Sequence, residues 1–206
     1  MGPVGNESRL ESLEAILVFI VPLLFIIPFY ASGFVTQVSG EFIMYTVYIA
    51  SSIGLTKYNR RSLAEIGLTR KGLLPSLGNS LLFVLAFAVT RFIAADLKLS
   101  PDVSSLEIVA FNLFRWALSG LGQEIIFRGL ILFSLERWKG WKVALLVSTI
   151  LFGLIHVLRY PSITGIVLVS VIGGFWGWIA LKTKNIIGTT IAHFLFNFLF
   201  AFMFTS

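Results

Sequence analysis

The sequence predicts an all-α protein of the lipid bilayer, a polytopic helical bundle of seven to eight transmembrane helices. Three observations predict it. Of 206 residues, 57% are hydrophobic and only 13% charged, with a mean hydropathy of +0.91, whereas a soluble domain is about 45–50% apolar and about 25% charged. Apolar runs recur at about 12–31, 41–57, 73–96, 105–136, 140–158, 162–182 and 186–205. Each has the roughly 17 or more residues that a hydrocarbon layer of about 30 Å requires. The basic residues gather in the short segments between the runs, where membrane topology places them.

The same numbers exclude several classes. The net charge of +6 carries no basic stripe with interleaved aromatics, so nucleic acid is not an expected partner. The absence of cysteine rules out disulfides, thiolate catalysis and cysteine-ligated zinc. No polar linker or internal repeat divides the chain, and residues 1–206 read as a single integral membrane domain.

Taken in order, the first run follows a leader in which Arg9 faces Glu7, Glu11 and Glu14. That leader is not basic and the run is long enough to span, so a membrane helix is expected rather than a cleaved signal. The segment Tyr58–Leu73 (YNRRSLAEIGLTRKGL) mixes basic residues with Leu63, Ile66 and Leu68 and reads as a short amphipathic surface helix or, almost equally, as a solvated linker with a few buried leucines. The fourth run is too long for one ordinary span. Ser119-Gly120-Leu121-Gly122 is a place to bend or break it, and a break would give the eighth helix. With the N-terminus cytoplasmic, eleven basic residues fall on the inner side: Arg9, Lys57, Arg60, Arg61, Arg70, Lys71, Arg137, Lys139, Lys142, Lys182 and Lys184. Only Lys98 and Arg159 fall in outer loops. This bias predicts a multi-pass protein of the cell membrane with its N-terminus inside.

Polar residues inside such runs mark a site by default, because hydrocarbon penalises them unless they find partners. Glu124 and Arg128 stand one helical turn apart and can form a charge-assisted pair, which serves either to lock helix packing or to build a site. Gln123 lies about 100° round the helix from Glu124 and is free to face a cavity. His156 ends the fifth run, four residues after Phe152; alone it reads equally as a packing group. His193 and Asn197 share a helix face at i, i+4. Both can donate hydrogen bonds to a developing oxyanion, or act as an interhelical polar clamp. Arg115 is expected to be structural, with Glu107 on its own helix reachable only through distortion, and Arg91 is placed to snorkel. Gly173, Gly174 and Gly177 suit close helix packing better than phosphate binding.

In order, these three motifs resemble the CPBP (Abi) family of CAAX proteases and bacteriocin-processing enzymes. That family carries Glu-Glu-x-x-x-Arg, Phe-x-x-x-His and His-x-x-x-Asn/Asp on three membrane helices. Phe152/His156 and His193/Asn197 match fully. The first motif matches at Glu124 and Arg128, with Ile126–Gly129 flanking. The likeness spans about residues 60–200. It implies the CPBP intramembrane protease fold and an endopeptidase whose water is activated by the first motif glutamate and the first histidine, with the site open to the cytoplasmic side. Carried over, Gln123 stands at the general-base position, His156 assists it, His193 and Asn197 form the oxyanion hole, and Glu124, Arg128 and Phe152 support. The implied substrate is a membrane-associated peptide or protein end: a prenylated tail, a leader peptide or a bacteriocin-type precursor.

Position 123 departs from the family pattern. Glutamine keeps the shape of glutamate but takes no proton at neutral pH, and loss of a general base costs about 10²–10⁴-fold in rate. The expectation is therefore a weakly active or inactive protease, whether by engineering or as a natural pseudoenzyme. No cofactor is expected. The alternative is a zinc ion on Glu124, His156 and His193, which the pairing of Glu124 with Arg128 disfavours. The rival classes are a non-catalytic binding or immunity scaffold that keeps the fold, and a transporter, for which paired half-helices are wanting.

Overall fold

A computed structural model describes residues 3–94, 105–157, 159–160 and 162–202. Lys98 and the side chain of Arg91 lie outside what it describes. Among the described residues every regular element is helical. They are α1 (Pro3–Ala31), α2 (Gln37–Tyr58), α3 (Leu73–Ala94), α4 (Leu106–Gln123), α5 (Phe133–Lys139), α6 (Trp141–Ile155), α7 (Ile163–Thr183) and α8 (Ile187–Phe202). Among the described residues five stretches are long and apolar enough to cross a membrane: Asn6–Ala31, Gln37–Tyr58, Leu73–Thr90, Leu106–Lys139 and Ile163–Thr183. Trp141–Ile155 and Ile187–Phe200 are shorter apolar helices. Large hydrophobic side chains such as Leu24, Phe25, Leu82, Phe92, Leu146 and Val171 face outward, which suits hydrocarbon as the surrounding solvent.

The fourth run does not break at Ser119–Gly122. It continues as one rod from Leu106 to Lys139, and its irregular part comes later, as a π-helical segment over Glu124–Leu132. Such widened turns are frequent at functional positions, and this one begins at the first motif. All nine of its residues are buried. The rod is the axis of the bundle: α1, α2, α6 and α8 pack around it, α7 packs on α6, and α3 closes against α8 and α7. Gly173, Gly174 and Gly177 sit against Phe152, Thr149 and Leu145 of α6, so this stripe of small residues serves close packing.

The Tyr58–Leu73 segment is not a surface helix. Its regular part is one 3₁₀ turn, Leu63–Ile66, held by a capping box between Ser62 and Glu65. Gly67 turns the chain with φ +79, and a longer helix would carry Ile66 away from its buried place beside Gly129.

The two ends of the bundle differ. At one end Arg61 and Arg137 both reach Glu11, Lys184 reaches Glu136, and Asn59 donates to Glu14. There Asn185 also donates to the carbonyls of Thr69 and Lys71, and the Ile186 amide donates to Gly67 O. This end gathers the loop 59–72, Gly140 and the turn 184–186. At the other end Arg115 grips Glu41 of α2 at 2.6 Å, and Arg159 lies 3.9 Å from the same carboxylate. Arg115 is thus a clamp between α2 and α4, and its partner is not Glu107.

Candidate active site

The π-helical segment sets the heart of the site. Glu124 and Arg128 are fully buried, with Arg128 Nη1 3.5 Å from Glu124 Oε1. Two further groups close on the carboxylate: Thr189 Oγ1 donates to Oε2 at 2.9 Å, and His193 Nδ1 lies 3.0 Å from Oε1. Beside Arg128 the carboxylate is ionised and only accepts, so His193 Nδ1 carries the proton of that bond. His193 stacks on Trp176 with ring centroids 4.4 Å apart, which leaves Nε2 as the polar atom this residue offers to its surroundings.

Arg128 spends its other end on α7, donating from Nη2 to Gly173 O at 2.8 Å. Its guanidinium lies 4.2 Å from the centre of the Phe152 ring, within cation–π range. The ring reaches this place because residue 173 is glycine; a Cβ there would stand 2.3 Å from Phe152 Cδ1. Phe152 also touches both histidines, at centroid distances of 4.8 Å to His156 and 6.0 Å to His193. It is the hub on which three helices agree.

His156 terminates α6. Its Nδ1 lies 2.7 Å from Phe152 O; a carbonyl only accepts, so Nδ1 donates and Nε2 keeps a lone pair. Gln123, on the neighbouring face of the rod, is buried and donates from Nε2 to Tyr45 Oη at 2.7 Å, while its Oε1 is buried with no hydrogen-bond partner. Gly122 permits this approach, since a Cβ there would lie 2.7 Å from Tyr45 Cβ.

Gln123, His156, His193 and Asn197 line one cavity of about 560 Å³, together with Tyr45 and Phe152. Glu124 and Arg128 stand behind its wall. Counted along straight helices from the basic end, His193 is shallower than His156, yet the structure brings both to this cavity. Glu124 and His193 meet directly and His156 stands apart on Phe152 O. Among the described residues no group of three His, Cys, Asp or Glu side chains is placed to hold a metal ion.

The cavity extends along the bundle away from the basic loops. Its wall is built from the second half of α1 (Leu23, Tyr30), the start of α2 (Gln37, Glu41), the end of α6, the start of α7 and the second half of α8, and it reaches Arg115, Arg159 and Tyr160. All of these lie toward the end opposite the basic loops.

Sequence reasoning missed Tyr45, Thr189 and Trp176. Thr189 had a signal: it stands four residues before His193, which stands four before Asn197, so all three share one face of α8. Tyr45 and Trp176 had none, because aromatic residues are ordinary in membrane helices.

No curated protein and no solved structure matches the chain. The model of the family described as type II CAAX prenyl endopeptidase Rce1-like matches residues 105–199. That stretch holds the central rod, α6, α7 and most of α8, with all three motifs, and over it the chain is similar to the Rce1-like type II CAAX prenyl endopeptidases.

Proposed function

We propose that this protein is an intramembrane endopeptidase whose water-activating position is weakened by Gln123. The observation that supports it best is the convergence of Gln123, His156, His193 and Asn197 from three helical rods on one cavity. In this reading a water sits in the cavity within reach of residue 123 and His156. The water gives its proton as its oxygen attacks the carbonyl carbon of the scissile peptide bond. The Asn197 carboxamide donates to the oxyanion that forms, and His193, held by Glu124 through Nδ1, donates to it from Nε2 once that nitrogen carries a proton. Collapse of the tetrahedral intermediate expels the amine, which takes the proton. Glu124, Arg128 and Phe152 act by position: they fix the His193 ring and hold α6 and α7 against the rod. No metal takes part.

With glutamine at 123, proton acceptance falls to His156 Nε2, and the reaction is slow. The substrate is a hydrophobic or membrane-anchored peptide, since the cavity wall outside the polar set is apolar: Leu23, Ile26, Ile27, Leu168 and Phe200.

The test is cleavage of a panel of hydrophobic peptides in detergent by the chain as given and by Gln123→Glu. The carboxylate should raise the rate by about 10²–10⁴-fold, and a chelator should leave that rate unchanged. Absence of cleavage by both folded proteins would move the reading to a non-catalytic scaffold.

A further inference from the structure

Resting on the protease reading, we infer that Tyr45 of α2 is a positioning residue for the reaction: its phenol holds the side chain at 123 so that one oxygen of that side chain faces the water in the cavity. α2 lies outside the stretch 105–199 that the family model matches, so none of the three motifs assigns this residue.

Three observations combine. First, the contact is direct and buried. Gln123 Nε2 donates to Tyr45 Oη at 2.7 Å, and both side chains are buried where they line the cavity. That bond decides which end of the carboxamide is left over. Oε1, an acceptor only, is buried with no hydrogen-bond partner. A buried acceptor without a partner is costly, and a water that donates to Oε1 from the cavity removes that cost.

Second, the helices are pinned around this contact. Gly122 lets α2 come close, since a Cβ there would stand 2.7 Å from Tyr45 Cβ. One turn before Tyr45, Glu41 is held by Arg115 of the rod at 2.6 Å. One turn after it, Tyr48 is fully buried and donates to Phe19 O of α1 at 3.0 Å. With α2 fixed on both sides, the phenolic oxygen has a fixed place. Third, a phenol can both accept and donate. It accepts from the carboxamide here. With a carboxylate at 123 the bond reverses: Tyr45 donates to one oxygen, and the other is left to take the water's proton. The same hydroxyl thus presents an acceptor to the water whichever of the two groups stands at 123.

The test starts from the Gln123→Glu protein in detergent. Adding Tyr45→Phe keeps the ring and removes the hydroxyl. On hydrophobic peptides kcat should fall about 10–100-fold, the effect of losing a hydrogen bond to a charged group, with KM changed by less than about twofold. Tyr48→Phe in the same background removes a hydroxyl that ties α2 to α1; its melting midpoint should fall while kcat stays level. Equal losses of kcat from both changes, or none from Tyr45→Phe, overturn the inference. A second arm needs no activity. In the chain as given, Tyr45→Phe, Gln123→Leu and the double change are compared by thermal unfolding. The double should melt no lower than the worse single, because the two residues share one bond; shifts that add in full overturn the inference. No cleavage by any folded protein carrying Gln123→Glu defeats the protease reading and the role of Tyr45 with it, whereas cleavage indifferent to Tyr45→Phe overturns that role alone.

Discussion

Glu124 is the residue on which the site depends, although it does not face the cavity. Its two oxygens serve Arg128, His193 and Thr189 together. Replacing it by Gln would leave a fully buried guanidinium without a counter-charge, a change that costs about 3–5 kcal/mol when one partner of a buried pair is lost. Thermal unfolding in detergent should therefore show a large loss of stability for Glu124→Gln, and a double change with Arg128→Met should recover a good part of it. An unchanged midpoint for the single variant would show that the pair does not hold the fold. Residues such as Glu124, Arg128, His156 and His193 stood out in the sequence because a polar group inside an apolar run must find a partner. The direction each one faces was not. That Gln123 turns to Tyr45 while Glu124 turns to α8 follows from which helices pack on which side of the rod, and a single sequence does not record this.

At the scale of elements, the apolar runs were legible as helices, and the ends of several were not. The third run's last residues and the loop after it lie outside the described residues. The fourth run was expected to bend at Ser119–Gly122, where small residues weaken a helix; tertiary packing overrode that local weakness, because Gly120 and Gly122 are where α8 and α2 press against the rod. The π-helical turns had no signature beyond the excess length of the run. Close approach of helices is also the source of a sharp prediction. Gly173→Ala places a Cβ against the Phe152 ring, whereas Gly54, on α2, has nothing within 4 Å of an added Cβ. Overpacking of this kind costs about 1–3 kcal/mol, and Gly→Ala in an open helical position gains up to about 1 kcal/mol. Melting curves should move down for Gly173→Ala and stay level or rise for Gly54→Ala; equal shifts would mean that the α6–α7 contact yields freely.

For the whole molecule, composition and loop charge were enough to read a membrane bundle, and three motifs in order were enough to read the family. What they did not yield was the relation between the charge pattern and the cavity. The helices are written in the runs, but which of their faces meet around the cavity is written in the packing, in buried residues such as Ile125, Ile126 and Ile186. Those positions are invisible in a sequence where nearly every run is rich in isoleucine and leucine.

Gly140 alone joins α5 to α6, turning with φ +81. Two rods so joined leave no length of chain between them, a geometry suited to entering the bilayer as a hairpin ahead of α7 and α8. At that moment Thr189, His193 and Gly173 do not yet exist, and the charges of the central rod have only each other. The one-turn spacing of Glu124 and Arg128 then acts as a built-in escort, neutralising the rod during its passage before its permanent partners arrive. In an insertion assay of a chain ending after Tyr160, neither Glu124→Ala nor Arg128→Ala should improve entry. A lone charge whose removal relieved the usual penalty of about 2.5–3.5 kcal/mol would show that the two travel unpaired. Assembly of the site would thus run in the order of synthesis, with α8 as the last part to dock.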